Sequence, residues 1–146
     1  MRREPPAFNP FRWPVRVYYE DTDAGGVVYY ANYLKFLERA RTEWLSAIGF
    51  PLSALEREHN ALFVVHRLEI DYRQPARLGD LLAVTFALAE HGRSRLITEQ
   101  DVLRGELPLV RARVTLACLD QRTWRPARIP ALLAARINDR VIEETI

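Results

Sequence analysis

The chain has 146 residues, enough for one compact domain with a real core and too few for two. Apolar residues make up 49% and charged residues 27%, the balance of an ordinary globular protein, and a formal net charge of +2 gives no polyanion-binding surplus, so no nucleic-acid partner is expected. No apolar run approaches the ~20 residues needed to cross a bilayer, so no membrane span is expected either.

Met1 to Pro10 carries three of the nine prolines and reads as a flexible arm; its basic residues precede no apolar segment, so it does not read as a signal peptide. From Phe11 to Tyr19, Val15, Val17 and Tyr19 alternate with Arg16 and Tyr18, the period-2 pattern of a strand. A loop follows, Glu20-Asp21-Thr22-Asp23-Ala24-Gly25-Gly26. Tyr30 to Ile48 then reads as the main helix, because Tyr33, Leu37, Ala40, Trp44 and Ile48 recur at three- or four-residue steps and Leu34 and Phe36 widen the apolar face. Gly49 and Pro51 end it. Ser53 to His59 reads as a short second helix, with Ser53 and Glu56 spaced as a capping box.

The remainder reads as strands. Leu62, Val64, His66, Leu68, Ile70 and Tyr72 are expected on one face of the first, and Gln74-Pro75 breaks it. Leu81 to Glu90 forms the next, His91-Gly92 turns into Ser94 to Leu103, and Gly105 turns into Leu109 to Asp120. Pro130 to Ile137 reads as a last helix. A single long helix must bury its apolar stripe, and its only large partner is the sheet. The order therefore predicts an α+β chain of the hot-dog type, an antiparallel sheet of about five strands wrapped around one long central helix. Residues 11–137 would form this one domain, and residues 138–146 a charged C-terminal tail.

The chemistry is expected where the first loop meets the helix. The first turn of a helix leaves backbone N–H groups without intrahelical partners, and its dipole end is positive. Such an end stabilises the oxyanion formed when a thioester carbonyl is attacked. Gly25 and Gly26 would let a substrate approach the backbone closely, and an ionised carboxylate on the loop could attack or activate water. On the residues alone two readings stand, an acyl-transfer site and an acidic turn that caps a helix.

Other nucleophiles find no partners. Ser46, Ser53 and Ser94 are the only serines, and none lies in a Gly-x-Ser-x-Gly elbow. His66 reads as a hydrogen-bonded core residue, and His59 and His91 as solvated residues near turns. The single cysteine, Cys118, reads as core filling; it can form no internal disulfide, which fits a reducing, cytoplasmic setting. Three histidines and one cysteine show no metal-ligand spacing. Every basic residue except Lys35 is arginine, a bidentate phosphate binder.

The run Phe11 to Tyr29, with Asp21-Thr22-Asp23-Ala24-Gly25-Gly26-Val27-Val28-Tyr29 at its end, and the helix segment Glu38-Arg39-Ala40-Arg41-Thr42-Glu43 closely resemble the YbgC-type acyl-CoA thioesterases. These are hot-dog proteins of the 4-hydroxybenzoyl-CoA thioesterase superfamily. The resemblance continues through Asp71-Tyr72, Pro75-Ala76-Arg77-Leu78 and Pro126-Ala127-Arg128-Ile129-Pro130. It implies hydrolysis of an acyl-CoA to free acid and CoA with no metal or other cofactor. Asp23 would be the catalytic carboxylate, as nucleophile or general base, and the backbone N–H of Tyr30 would polarise the thioester carbonyl. Asp21 is expected to hold the loop through turn hydrogen bonds.

Many family members carry His where this chain has Tyr30, whereas the hydroxybenzoyl branch carries Tyr. The turn Gly92-Arg93-Ser94-Arg95 resembles the segment that meets the CoA nucleotide, so Arg93 and Ser94 are expected to bind CoA, with Arg77 and Arg128 as further candidates. The resemblance implies a homodimer or homotetramer with sites at the dimer interface, Asp23 of one chain working beside the CoA-binding turn of another. It also brings two rival roles. One is a non-catalytic, Tol-Pal-associated module at the inner membrane that binds acyl carrier protein or lipid-synthesis enzymes. The other is a hot-dog dehydratase, a chemistry that pairs a His with an acid, and no His lies in the loop or first helix.

Overall fold

The computed structural model describes residues 11–145, with side chains through Asn138, so the arm at residues 1–10 lies outside the described residues. The elements are β1 (Phe11–Arg16), α1 (Asn32–Ala47), α2 (Leu52–His59), β2 (Ala61–Tyr72), β3 (Leu81–His91), β4 (Arg95–Arg104), β5 (Leu107–Asp120) and α3 (Ala131–Thr145). The strands form one antiparallel five-stranded sheet in the order β1-β3-β4-β5-β2. The expected hot-dog architecture is present.

The core lies between one face of the sheet and α1. Tyr33, Phe36, Leu37, Ala40 and Leu45 of the helix are buried with Leu82 and Val84 of β3, Leu96 and Val102 of β4, and Val110, Ala112, Val114, Leu116 and Cys118 of β5. Trp44 stacks on Phe86 with ring centroids 4.4 Å apart. Gln100 on β4 is fully buried, yet its amide nitrogen is satisfied, donating to the carbonyls of Leu37 in α1 (2.9 Å) and Thr85 in β3 (3.2 Å). A polar side chain thus fixes the helix on the sheet without leaving an orphan donor. The helix stops as expected: Gly49 takes φ +95°, and the N–H of Phe50 returns to the carbonyl of Leu45 at 2.8 Å.

Several local expectations are corrected. The register of β2 shifts between Val65 and Arg67, so the strand changes face there. Phe63 pairs with core Cys118 before the bulge, and Leu68 and Ile70 pair with core Val114 and Ala112 after it. His66 is therefore exposed at the bulge, not a core histidine. Leu34 is also exposed. Helix α2 begins at Leu52 with Pro51 as its N-cap, which puts Ser53 inside the first turn, and no side chain caps the helix; the Ser53–Glu56 box does not form. The last helix runs past Ile137 to Thr145, through most of the stretch read as a tail.

The two sheet edges differ. β1 is short and carries Pro14, which suits an exposed edge. β2 is 12 residues long without proline, and Val65 and Tyr72 on it are exposed.

Candidate active site

The loop between β1 and α1 carries two carboxylates with opposite surroundings. Asp21 is buried; its Oδ2 accepts from the N–H of Tyr18 and its Oδ1 from the side-chain amide of Asn32, both at 2.8 Å. Its carbonyl accepts from the N–H of Tyr29 at 3.0 Å. Asp21 thereby ties the loop to the first residue of α1. Asp23 is exposed at the tip. Its Oδ1 accepts from the N–H of Gly25 at 2.8 Å, an Asx turn, and Oδ2 has no hydrogen-bond donor among the described residues. A Cβ at residue 25 would lie 3.2 Å from Asp23 Oδ1, so glycine there keeps the carboxylate uncrowded. Gly26 takes φ +79°, which closes the turn.

Regular α-helix starts at Asn32, later than the apolar pattern predicts. Tyr29 to Asn32 forms a tight turn, with Asn32 N–H donating to the carbonyl of Tyr29 at 2.8 Å. Tyr30 lies in this turn, and its N–H has no acceptor among the described residues. The turn is held from two sides. Asp21 holds one; on the other, Val28 N–H donates to the carbonyl of Ala76 (2.9 Å), Ala76 N–H to the hydroxyl of Tyr33 (3.0 Å) and the Tyr72 hydroxyl to the carbonyl of Tyr30 (2.9 Å).

A cleft of about 260 Å³ opens beside the turn, lined by Val28, Tyr30, Tyr33, Tyr72, Arg73, Gln74 and Pro75. Its rings meet edge to face, Tyr30 and Tyr33 lying 6.3 Å and 5.7 Å from Tyr72 between centroids. Asp23 is not among the cleft's lining residues. In a single chain the carboxylate stands on the exposed loop tip and the cleft beside the helix start.

The expected CoA-binding residues fall into two places. Arg93 and Ser94 form the turn between β3 and β4, closed by the N–H of Gly92 on the carbonyl of Arg95 at 2.8 Å. Main-chain bonds from Cys118 N–H to the Ser94 carbonyl and from Ile129 N–H to the Arg93 carbonyl, both 2.8 Å, bring Arg128 beside them. Arg93 and Arg128 are exposed, and Ser94 is half-buried. Arg77 is elsewhere, bridged through its backbone to Val27 of the acidic loop. Its N–H donates to Asp80 Oδ2 at 2.9 Å, and Arg104 meets the same oxygen at 2.9 Å. Burial alone would raise the Asp80 carboxyl, but the Arg77 N–H and the Arg104 guanidinium outweigh it and hold it below its ordinary range.

These two places lie at opposite ends of the sheet. The acidic loop sits where β3 begins, Val17 N–H donating to the carbonyl of Asp80 at 2.9 Å, and the Arg93 turn follows where β3 ends. That strand is 11 residues long, roughly 35 Å at ~3.3 Å per residue. The same holds along edge strand β2: Tyr72, at one end, touches the Tyr30 turn, while Phe63, near the other, pairs with Cys118, whose N–H is bonded to Ser94.

The remaining nucleophile candidates are remote from this chemistry. Cys118 is buried, and desolvation pushes its thiol up to about 11. His91 Nε2 meets Asn138 Oδ1 at 2.8 Å, and His59 packs against Phe50. Sequence reasoning missed Asn32 and Tyr72 as partners of the loop; the Asp71-Tyr72 pair stood out only as part of the resemblance.

Residues 17–137 match the model of the thioesterase-like superfamily. The acyl-CoA thioesterase YbgC of Haemophilus influenzae is 48% identical over 89% of this chain and 96% of its own. Among solved structures, a probable thioesterase from Bartonella henselae superposes with a TM-score of 0.79 at 37% identity, over 85% of this chain and 100% of that one. A thioesterase from Thermus thermophilus, solved with coenzyme A and Zn, gives 0.75 at 33% identity over 88% of this chain and 91% of its own. The chain belongs to the thioesterase-like superfamily and, within it, to the YbgC-type acyl-CoA thioesterases.

Proposed function

We propose that the protein hydrolyses an acyl-CoA thioester to the free acid and CoA, in sites that two copies of the chain complete together. The observation that carries this reading is the Tyr30 turn: a backbone N–H without an acceptor among the described residues, clamped on both sides, next to a ring-lined cleft and a loop bearing an unsaturated carboxylate. The Tyr30 N–H receives the thioester oxygen as it gains negative charge. Because the donor is already fixed, little reorganisation is needed when the charge develops. Asp23 either attacks the carbonyl carbon, giving a mixed anhydride that water then opens, or takes a proton from the attacking water. In both routes the C–S bond breaks, and the sulfur leaves as CoA thiolate and is protonated.

Assembly of two chains is supported by the long outer edge of β2, which pairs with no other strand among the described residues, and by the separation of the acidic and arginine ends. Antiparallel pairing of β2 with β2 of a second copy lays the Tyr72 end of one on the Ala61 end of the other. The Asp23 loop of one chain then approaches Arg93, Ser94 and Arg128 of its partner, which bind the phosphates of CoA. Arg77, on the loop's own chain, adds positive charge on the acyl side. Further pairing of dimers gives a tetramer.

No helix among the described residues is long and apolar enough to cross a membrane. The unpaired Cys118 supports a cytoplasmic setting.

Thiol release from short, long and aromatic acyl-CoAs tests the reading. The wild type is expected to release thiol from at least one class, and Asp23→Asn and Asp23→Ala to release it at least about a hundredfold more slowly, with fold and assembly retained. Wild-type turnover in either variant rejects Asp23. A pure scaffold for acyl carrier protein or lipid-synthesis enzymes releases no thiol from any ester.

A further inference from the structure

We infer that Tyr72 is a positioning residue for the reaction: its hydroxyl fixes the main chain that presents the Tyr30 N–H. The inference rests on the proposed hydrolase reading and deepens it. In a regular helix the carbonyl of Tyr30 would accept the N–H of Leu34, four residues on. Here that N–H turns instead to the carbonyl of Ala31 at 3.2 Å. The Tyr30 carbonyl is left with the Tyr72 hydroxyl, at 2.9 Å, as its hydrogen-bond donor among the described residues. Tyr72 is the last residue of edge strand β2, 45% exposed, so this hydroxyl does not fill the core.

The bond completes a bracket around one residue. Before Tyr30, the N–H of Tyr29 is held by the carbonyl of Asp21 at 3.0 Å; after it, the carbonyl is held by Tyr72. The peptide group that carries the Tyr30 N–H lies between these two anchors and is itself held by Asn32 N–H on the Tyr29 carbonyl at 2.8 Å, so the Tyr72 bond limits how far that group can turn from its C-terminal side. Without the hydroxyl, one anchor is gone while the ring can keep its edge contacts with Tyr30 and Tyr33. Desolvation, with smaller contributions from Tyr30 and Tyr33, raises the Tyr72 phenol above its ordinary range, so it remains a donor at neutral pH.

The donor itself is backbone and stays in place when Tyr72 changes; only its aim loosens. The loss should therefore fall below the hundred- to thousand-fold typical of deleting an oxyanion donor, at about tenfold. It should fall mainly on turnover and little on the Michaelis constant, because a hydrogen bond to the neutral ground-state carbonyl is weak and strengthens as charge develops on the oxygen.

The test is Tyr72→Phe in the full chain, assayed with whichever of butyryl-, palmitoyl- and benzoyl-CoA the wild type turns over fastest. The expected result is kcat reduced about tenfold, KM within about twofold, and melting temperature and assembly unchanged. A second measurement reads alignment directly: the carbonyl stretch of that acyl-CoA, ¹³C-labelled at the thioester and bound to Asp23→Asn, should lie at lower frequency than when bound to Asp23→Asn/Tyr72→Phe. Equal kcat, an equal carbonyl frequency, or a Tyr72→Phe chain that unfolds or dissociates overturns the positioning role. Failure of the wild type to hydrolyse any of the three esters rejects the hydrolase reading and takes this inference with it, whereas an active wild type matched by Tyr72→Phe rejects the inference alone.

Discussion

The two ends of strand β2, proposed to carry different halves of one chemistry, are built differently. At the Tyr72 end, side chains and main chain bond to each other: Asp21 to Tyr18 and Asn32, Tyr72 to Tyr30, Tyr33 to Ala76. At the Ala61 end, the bonds that gather Arg93, Ser94 and Arg128 are mainly backbone, and the two guanidinium groups extend into solvent. The contrast follows from what each end is proposed to do. Stabilising a transition state requires donors that are already aimed, whereas long arginines can find the phosphates of a mobile substrate after it arrives. Rigidity is therefore concentrated at the Tyr72 end.

The sharpest break in this comparison is at the rigid end. Asp23→Asn should lower turnover by about 10²–10⁴-fold, the usual worth of a positioned acid–base group, read by thiol release. Separating the ends comes next. Val65 is exposed near the middle of β2, so Val65→Glu should set like charges against each other across a β2–β2 pair. It should weaken self-association by about tenfold or more, seen by sedimentation, with activity falling at low protein concentration. Asp21→Ala removes two acceptors from buried or half-buried donors and should cost about 2–3 kcal/mol, read as a melting temperature lower by roughly 5–10 °C. Arg93→Ala tests the loose end. It should raise KM about three- to tenfold for a CoA ester and leave the corresponding pantetheine ester unchanged, since only the former carries the nucleotide.

The smallest effect is on acid stability. Asp80 sits below its ordinary 3.8 against burial, through the Arg77 N–H and Arg104. Asp120 sits below it chiefly through the N–H groups of Thr123 and Arg122. A depressed carboxyl stabilises the fold above its unfolded pKa, and that contribution is lost as pH falls through the folded value. Thermal stability should thus be flat from neutral pH to about 5 and fall below about 4, and Asp80→Asn should flatten that fall.

What the sequence disclosed was whatever depends on period and order. The spacing of Tyr33, Leu37, Ala40 and Trp44 gave the helix, the alternation in β5 gave a buried face, and their order gave a sheet around one helix. Asp21 and Asp23 could be assigned different roles from the motif, and the loop geometry agrees for Asp21. Hidden were features decided by tertiary contact. The bulge between Val65 and Arg67 reverses the face of β2 and exposes His66, although the residues alternate without interruption. Ser53 and Glu56 have capping-box spacing, but Pro51 caps the helix two residues before Ser53. The bond from Tyr72 to Tyr30 links residues 42 apart, beyond any local pattern.

The claim that one site is assembled from two chains is tested most directly by complementation. Assayed with a CoA ester well below its KM, Asp23→Asn and Arg93→Ala/Arg128→Ala are each expected to be weak as homodimers. Mixed under dissociating conditions and reassembled, they form heterodimers in which one site holds both an intact Asp23 and an intact arginine pair. The account predicts activity well above the mean of the two parents, approaching about a quarter of the wild-type sites for random pairing of a two-fold dimer. Activity equal to that mean would show that Asp23 and the arginines serve the same site from the same chain, and would contradict it.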